Sequence, residues 1–155
     1  MVVTKRTLKS AIYKLFYNTI KNNYTNPHSS RFLVYPSFPL DKLTDRTAYP
    51  MIVLNSPVFS EEEFTFRDTG YECEVTMLLF DTSKKDLDSM TETIVNLIEN
   101  NTDIVFTANG VEQLILVDDS QEPFDHGSDR GNNAVLGHVE TLTFEMTVYL
   151  KRINT

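Results

Sequence analysis

Residues 139–150 read "VETLTFEMTVYL", and they alternate between apolar and polar side chains with a period of two. One set is apolar and comprises Leu142, Phe144, Met146, Val148 and Leu150. The other set is mostly polar and comprises Thr141, Thr143, Glu145, Thr147 and Tyr149. Such alternation is typical of a β-strand with one face on the core. We therefore predict a long strand over 136–152, whose threonine-rich face is polar or meets a partner.

Other segments of the chain also have the character of strands. "YECEVTMLLFD" at 71–81 alternates in the same way and becomes apolar on both faces near Leu78. "YPMIVLNSP" at 49–57 is a short apolar run bounded by prolines, and "VEQLILVDD" at 111–119 follows the turn signal of Asn109 and Gly110. A proline-bearing connection at 24–48 contains a short extended piece at 31–35. The sequence thus predicts four main strands.

Two segments have apolar residues at helical spacing. Residues 4–23 place Leu8, Ile12, Phe16 and Ile20 on one face, and residues 81–101 do the same with a second apolar stripe. The predicted order is helix, strand, strand, helix, strand, strand. It indicates one α+β domain over 1–155, with a mainly antiparallel β-sheet flanked by two α-helices.

The composition limits the classes of partner. The net charge is −8, which disfavours tight binding to the phosphates of nucleic acids. Cys73 is the only cysteine, so an intrachain disulfide is impossible and a zinc–thiolate site is not expected. No stretch resembles a signal peptide or a membrane span, so we expect a soluble protein that folds in a reducing cytoplasm and does not contact a membrane.

The stretch "FDHGSDRGNN" at 124–133 contains the densest group of reactive side chains. Asp125, His126, Asp129 and His138 could in principle bind a divalent metal, as in a small metal-dependent hydrolase. Metal sites need ligands on rigid elements, whereas these residues lie among glycines and asparagines and show neither the H-E-x-x-H motif nor the EF-hand spacing. We therefore expect a polar loop and no catalytic residue, no metal and no cofactor.

Two polar connections, 58–69 and 120–133, are unusual for a small domain. The first connection contains both phenylalanines and carboxylates. Exposed phenylalanines are favourable where a partner protein covers them, and it is equally possible that their rings pack on the core of the same subunit. The candidate interface residues of the first connection are Phe59, Glu61, Glu62, Glu63, Phe64, Phe66 and Asp68. Those of the second are Asp125, His126, Asp129, Arg130, Asn132 and Asn133.

The order of these segments resembles the tail terminator (tail completion) proteins of long-tailed bacteriophages, typified by the minor tail protein U of lambda-like phages. The resemblance covers the "YPMIVL" strand, the "YECEVTMLLFD" strand, the helix beginning at "DTSKKDLDSM" and the final "VETLTFEMTVYL" strand. It implies an α+β subunit that is not an enzyme and that forms a homo-hexameric ring. The candidate interface residues would then face the subunit contacts or the lumen.

The resemblance also implies a place and a set of partners. The ring would cap the tail tube, end its polymerisation and present a surface to the head-completion or connector protein at the tail–neck junction of the virion. It would be assembled in the host cytoplasm, and DNA would pass through it without specific binding. A head–tail joining adaptor of similar fold, a metal-dependent hydrolase and a general α+β binding module remain alternatives.

The net charge leads to one further expectation about such a ring. Subunits that each carry a charge of −8 repel each other, and salt screens that repulsion. We therefore expect the contacts of a ring to be apolar or hydrogen-bonded, and the association to increase as salt is added.

Overall fold

The computed structural model describes residues 5–27, 34–39, 41, 48–64, 69–125 and 136–149. The helices are α1 (Lys5–Asn23) and α2 (Lys84–Asn101). The strands are β1 (Val34–Tyr35), β2 (Met51–Leu54), β3 (Val58–Phe64), β4 (Thr69–Asp81), β5 (Val111–Asp125) and β6 (Leu136–Tyr149).

The strands of the described residues form one six-stranded sheet in the order β1-β2-β4-β6-β5, with β3 pairing to β4. The two halves of β4 have different neighbours on the same side, because β2 pairs with its end and β3 pairs with its beginning. β6 pairs antiparallel with both β4 and β5, whereas β1 and β2 are parallel. The predicted α+β class with a mainly antiparallel sheet and two helices is confirmed.

Both helices pack on one face of this sheet. The ring of Phe16 from α1 lies 4.9 Å from that of Phe106 and 6.0 Å from that of Phe144, between ring centroids. Ser83 caps α2 by accepting a hydrogen bond from the backbone N–H of Asp86. The predicted apolar sets are buried here, and the central ones are Leu8, Ile12, Phe16, Ile20, Leu87, Ile94, Ile98, Val75, Met77, Leu79, Leu142, Phe144 and Val148.

A smaller apolar cluster lies on the opposite face of the sheet, at one end. Phe80 and Val139 contribute to it from β4 and β6, and Phe38 stacks edge-on against Phe80 at 5.0 Å. The short β1 pairs Tyr35 with Val53 and so confirms part of the predicted extended piece, while residues 31–33 lie outside the described residues. This cluster explains why β4 is apolar on both faces near Leu78.

Three sequence predictions of local structure are wrong. Residues 58–64 are strand β3, although the acidic stretch suggests a connection, because pairing with β4 satisfies their backbone. Residues 120–125 continue β5 and pair with β6 as far as Asp125 and Leu136. The second helix continues past Asn101 as a π-helical turn over Thr102–Phe106, which brings the wholly buried Phe106 into the core.

Candidate functional site

The candidate functional site is the part of the sheet that faces away from the helices and that the smaller cluster leaves open. Cross-strand partners share a face of a sheet. The registers place Val58 of β3 beside Glu74, Glu74 beside Glu145, and Glu145 beside Ile115. These residues form a row across β3, β4, β6 and β5, which we call the acidic row.

A shallow groove of about 370 Å³ runs over the acidic row. Beside the row, the hydroxyl of Ser60 donates a hydrogen bond of 3.1 Å to Glu72 Oε2, which ties β3 to β4. On the other side, the hydroxyl of Thr147 donates to Gln113 Oε1 at 3.4 Å. The groove walls include Val58, Ser60, Glu72, Glu74, Gln113, Ile115, Glu145 and Thr147.

The charge of this face has one sign. Glu74 and Glu145 are exposed and directly opposite each other, an arrangement in which like charges destabilise a sheet. Further carboxylates on the same face belong to Glu72, Glu112 and Asp118. None of the strands in the described part of the chain contains a lysine or an arginine. The described strands therefore supply no cation to compensate the carboxylates of this face.

Apolar side chains lie at both ends of the acidic row. Val58 is 62% exposed and Ile115 is 55% exposed, which is unusual for large apolar residues on a sheet. Val117, also exposed, follows Ile115 along β5. The two apolar side chains lie about three strand spacings apart, so they form two separate exposed spots beside the carboxylates rather than one apolar patch.

The backbone of β5 is irregular next to the groove. Its register shifts between Glu112 and Ile115 and again between Leu116 and Asp118. Gln113 lies within the first irregularity and has a backbone φ of 54°, a value that residues other than glycine seldom adopt. Bulges re-aim side chains and mark functional edges of sheets. Here the first irregularity places Gln113 and Ile115 along the groove.

The residues predicted from sequence as an interface are only partly described. Phe59 is half-buried, and its ring packs edge-on against Tyr71 at 6.2 Å, so the structure favours packing on its own core. Glu61, Glu62, Glu63 and Phe64 belong to β3, the edge strand that contributes Val58 to the acidic row. Asp125 is the last residue of β5. The other candidates, which lie outside the described residues, are Phe66, Asp68, His126, Asp129, Arg130, Asn132 and Asn133.

A second polar group, on the helix side of the sheet, was not predicted. Gln121 Nε2 donates hydrogen bonds of 2.9 Å to both Asp88 Oδ1 and Glu140 Oε2. Glu140 is only 6% exposed. Burial, followed by a hydrogen bond with the carboxylate of Asp119, raises the pKa of Glu140 to about 7. The sequence could have indicated the burial of Glu140, because residues two apart in a strand share a face and Leu142 and Phe144 are buried.

Cys73 and His138 both lie within strands of the sheet, in β4 and β6 respectively. Burial and the neighbouring carboxylate of Glu74 raise the pKa of the Cys73 thiol to about 12, although Lys9 opposes the shift, so the thiol is unreactive in the folded chain. His138 of β6 is the cross-strand neighbour of Asp81 in β4. Among the described residues, no three His, Cys, Asp or Glu side chains are grouped so that they could hold a metal ion.

The search for membrane-spanning helices covered the same described residues. Neither α1 nor α2 combines the length and the apolar character that crossing a bilayer requires.

Comparison with known proteins finds likenesses to solved structures. No family model matches the sequence, and no curated protein does. A chain in the structure of the virion of a native gene transfer agent particle matches the fold with a TM-score of 0.57. The match covers 90% of this chain and 96% of that chain at 9% sequence identity. This chain therefore shares its fold with a protein chain of a virion particle.

Proposed function

We propose that this chain is a structural protein of a phage-like virion. Within that class we propose a tail terminator, a subunit whose homo-hexameric ring caps the tail tube at the tail–neck junction. The ring would end tube polymerisation and offer a surface to the head-completion protein, and DNA would pass through it. Its assembly would take place in the host cytoplasm.

The observation that carries this proposal is the extent of the fold likeness. The match to the virion chain leaves almost nothing of either chain uncovered, so the likeness concerns a whole subunit and not a common substructure. Fold alone does not determine function. The order of segments in the sequence, which resembles tail terminators, is an independent reason for the same proposal.

The open face of the sheet supports an assembly role over a catalytic one. A catalytic site needs convergent polar groups held in a concave pocket. The acidic row instead presents carboxylates and exposed apolar side chains on a shallow surface. Such a surface suits contact with protein, and it begins at the edge strand β3 with Val58.

The loop candidates enter the proposal as positions at the subunit contacts or the lumen. They are Phe66 and Asp68 in one connection and Asp125, His126, Asp129, Arg130, Asn132 and Asn133 in the other. Replacing 126–133 by a glycine–serine linker of equal length tests this part. We expect the variant to fold and to lose function in joining tails to heads, because loop tips tolerate replacement while contacts do not.

The decisive experiment measures ring formation and tube binding. Purified protein is studied by mass measurement and negative-stain microscopy over a concentration series, alone and with purified tail tubes. We expect rings, or protein located at one end of each tube. Protein bound instead to isolated head connectors would indicate a head–tail joining adaptor. A monomer that binds neither tubes nor connectors would refute the virion proposal.

A further inference from the structure

The described structure places one basic helix, α1, and an acidic sheet face on opposite sides of the sheet. Helix α1 contains five basic residues and no acidic residue: Lys5, Arg6, Lys9, Lys14 and Lys21. The open sheet face contains carboxylates, and its strands contain no lysine or arginine. Because α1 packs on the helix side of the sheet, its outer surface and the acidic row point away from each other.

The outward surface of α1 combines charge with aromatic rings. Lys14 and Lys21 are exposed and lie two turns apart on the same side of the helix. Tyr13 and Tyr17 are half-buried, and their rings stack with centroids 6.3 Å apart. This surface, which we call the basic helix face, thus presents two ammonium groups beside a pair of tyrosines.

We propose that the acidic row of one subunit binds the basic helix face of a second copy of this chain. The inference rests on the proposed ring, and it names the contact that joins neighbouring subunits. The contact is heterologous, because it joins two different surfaces of identical chains. Repetition of a heterologous contact generates a ring when the rotation closes, and a filament when it does not.

The dimensions of the two surfaces agree. The stretch from Tyr13 to Lys21 is about 12 Å long at 1.5 Å per residue of helix. The acidic row crosses four strands, so Val58 and Ile115 are about 14 Å apart at the usual spacing of strands. A helix that lies across the strands therefore covers the row from one apolar end to the other.

The chemistry of the two surfaces also agrees. Lys14 and Lys21 would compensate the opposed carboxylates of Glu74 and Glu145, which destabilise the isolated subunit. The stacked tyrosines, whose ring centroids are 6.3 Å apart, would cover one exposed apolar end of the row, Val58 or Ile115. A second copy is the favoured occupant because the same chain supplies both the acidic and the basic surface.

The test reverses charge on each surface in turn and measures sedimentation at equal protein concentration. K14E/K21E and E74K/E145K each remove the attraction, so we expect each to weaken self-association by about tenfold or more relative to the parent chain. The variant that carries all four changes restores opposite charges at the contact, and we expect its association to recover. K84E/K85E is the matched control, since both lysines are exposed on α2.

A gentler variant guards against misfolding. Glu74→Gln combined with Glu145→Gln keeps the shape of both side chains and removes their mutual repulsion. We expect this variant to melt at or above the temperature of the parent chain and to associate more weakly. Salt should also weaken the association of the parent chain, because ions screen opposite charges over about 10 Å at 0.1 M.

The outcomes separate this inference from the proposed function. Rings or tube caps that persist in both K14E/K21E and E74K/E145K would overturn the contact and leave the terminator role standing. The contact would also be overturned if the parent chain assembles and the variant with all four substitutions does not regain that association. A parent chain that neither assembles nor binds tail tubes or connectors would refute both the subunit contact and the terminator role.

Discussion

Replacing Glu140 by glutamine should make the protein more stable at pH 8 and change the pH dependence of its unfolding. In the parent chain, the buried carboxyl of Glu140 accepts a hydrogen bond from Gln121 and shares another with Asp119. A glutamine has the same shape. Its amide oxygen can accept from Gln121, and its amide nitrogen can donate to the carboxylate of Asp119. The substitution therefore keeps the hydrogen bonds and removes the titration.

The direction of the stability change with pH follows from the pKa values of Glu140 in the folded and the unfolded chain. Its pKa is about 7 in the folded chain against an ordinary value of 4.5. Between these values the folded chain holds a proton that the unfolded chain has released, so the contribution of Glu140 to stability falls as pH rises. The contribution is fully present below about pH 4.5 and lost above about pH 7. A shift of this size corresponds to about 1–3 kcal/mol when its coupling to Asp119 is allowed for.

Urea unfolding of the parent and of Glu140→Gln from pH 4.5 to 8 measures the difference directly. We expect the two free energies of unfolding to be similar near pH 4.5 and to separate by about 1–3 kcal/mol in favour of the variant by pH 8. Glu99→Gln, exposed on α2, is the control and should run parallel to the parent chain. A constant difference over the whole range would refute the raised pKa. The other ionisable groups nearby are Asp88, Asp119, Asp81 and His138, and they remain in both proteins.

Further predictions concern the core and the thiol. Phe144→Ala should lower the free energy of unfolding by about 3–5 kcal/mol in urea titrations, because the ring is 1% exposed and contacts Phe16. Phe106→Ala should cost a similar amount, which would show that the π-helical turn is part of the core; a loss below about 1 kcal/mol would contradict this. Cys73 should react with a thiol reagent only as fast as the chain unfolds, and rapid labelling of the native protein would contradict its burial.

The elements that were predictable are those in which one face is buried and the other is not. In β4 and β6, burial alternates with the sequence, so Cys73 and Met146 face the helices while Glu74 and Glu145 face outward. The apolar stripes of α1 and α2 are recognisable for the same reason. In each case the local pattern and the tertiary environment have the same period.

The elements that were missed depend on pairing between distant residues. β3 is an edge strand whose carboxylates interrupt any alternation, and only its partner β4 makes it a strand. The second half of β5 is polar on both faces, and β6 determines its conformation. The π-helical turn follows two asparagines that normally end a helix, and the burial of Phe106 outweighs that local preference.

The candidate site depends on the same distant pairing. Glu74 and Glu145 are far apart in the sequence, and neither belongs to a motif. Their opposition appears only once the register of β4 and β6 is known. The sequence left the threonine-rich face of β6 as either polar or in contact with a partner, and the open groove lies on that face.

The distribution of charge changes what the net charge implies. A net charge of −8 spread evenly would make copies repel, and added salt would then favour assembly. In the described structure, the basic residues of α1 and the carboxylates of the open face lie on opposite sides. At the short distances of a contact, attraction between unlike groups exceeds the repulsion between distant ones. The sign of the salt dependence therefore distinguishes the two cases: association that weakens with salt supports a contact between α1 and the acidic row, and association that strengthens with salt supports an uncharged contact elsewhere.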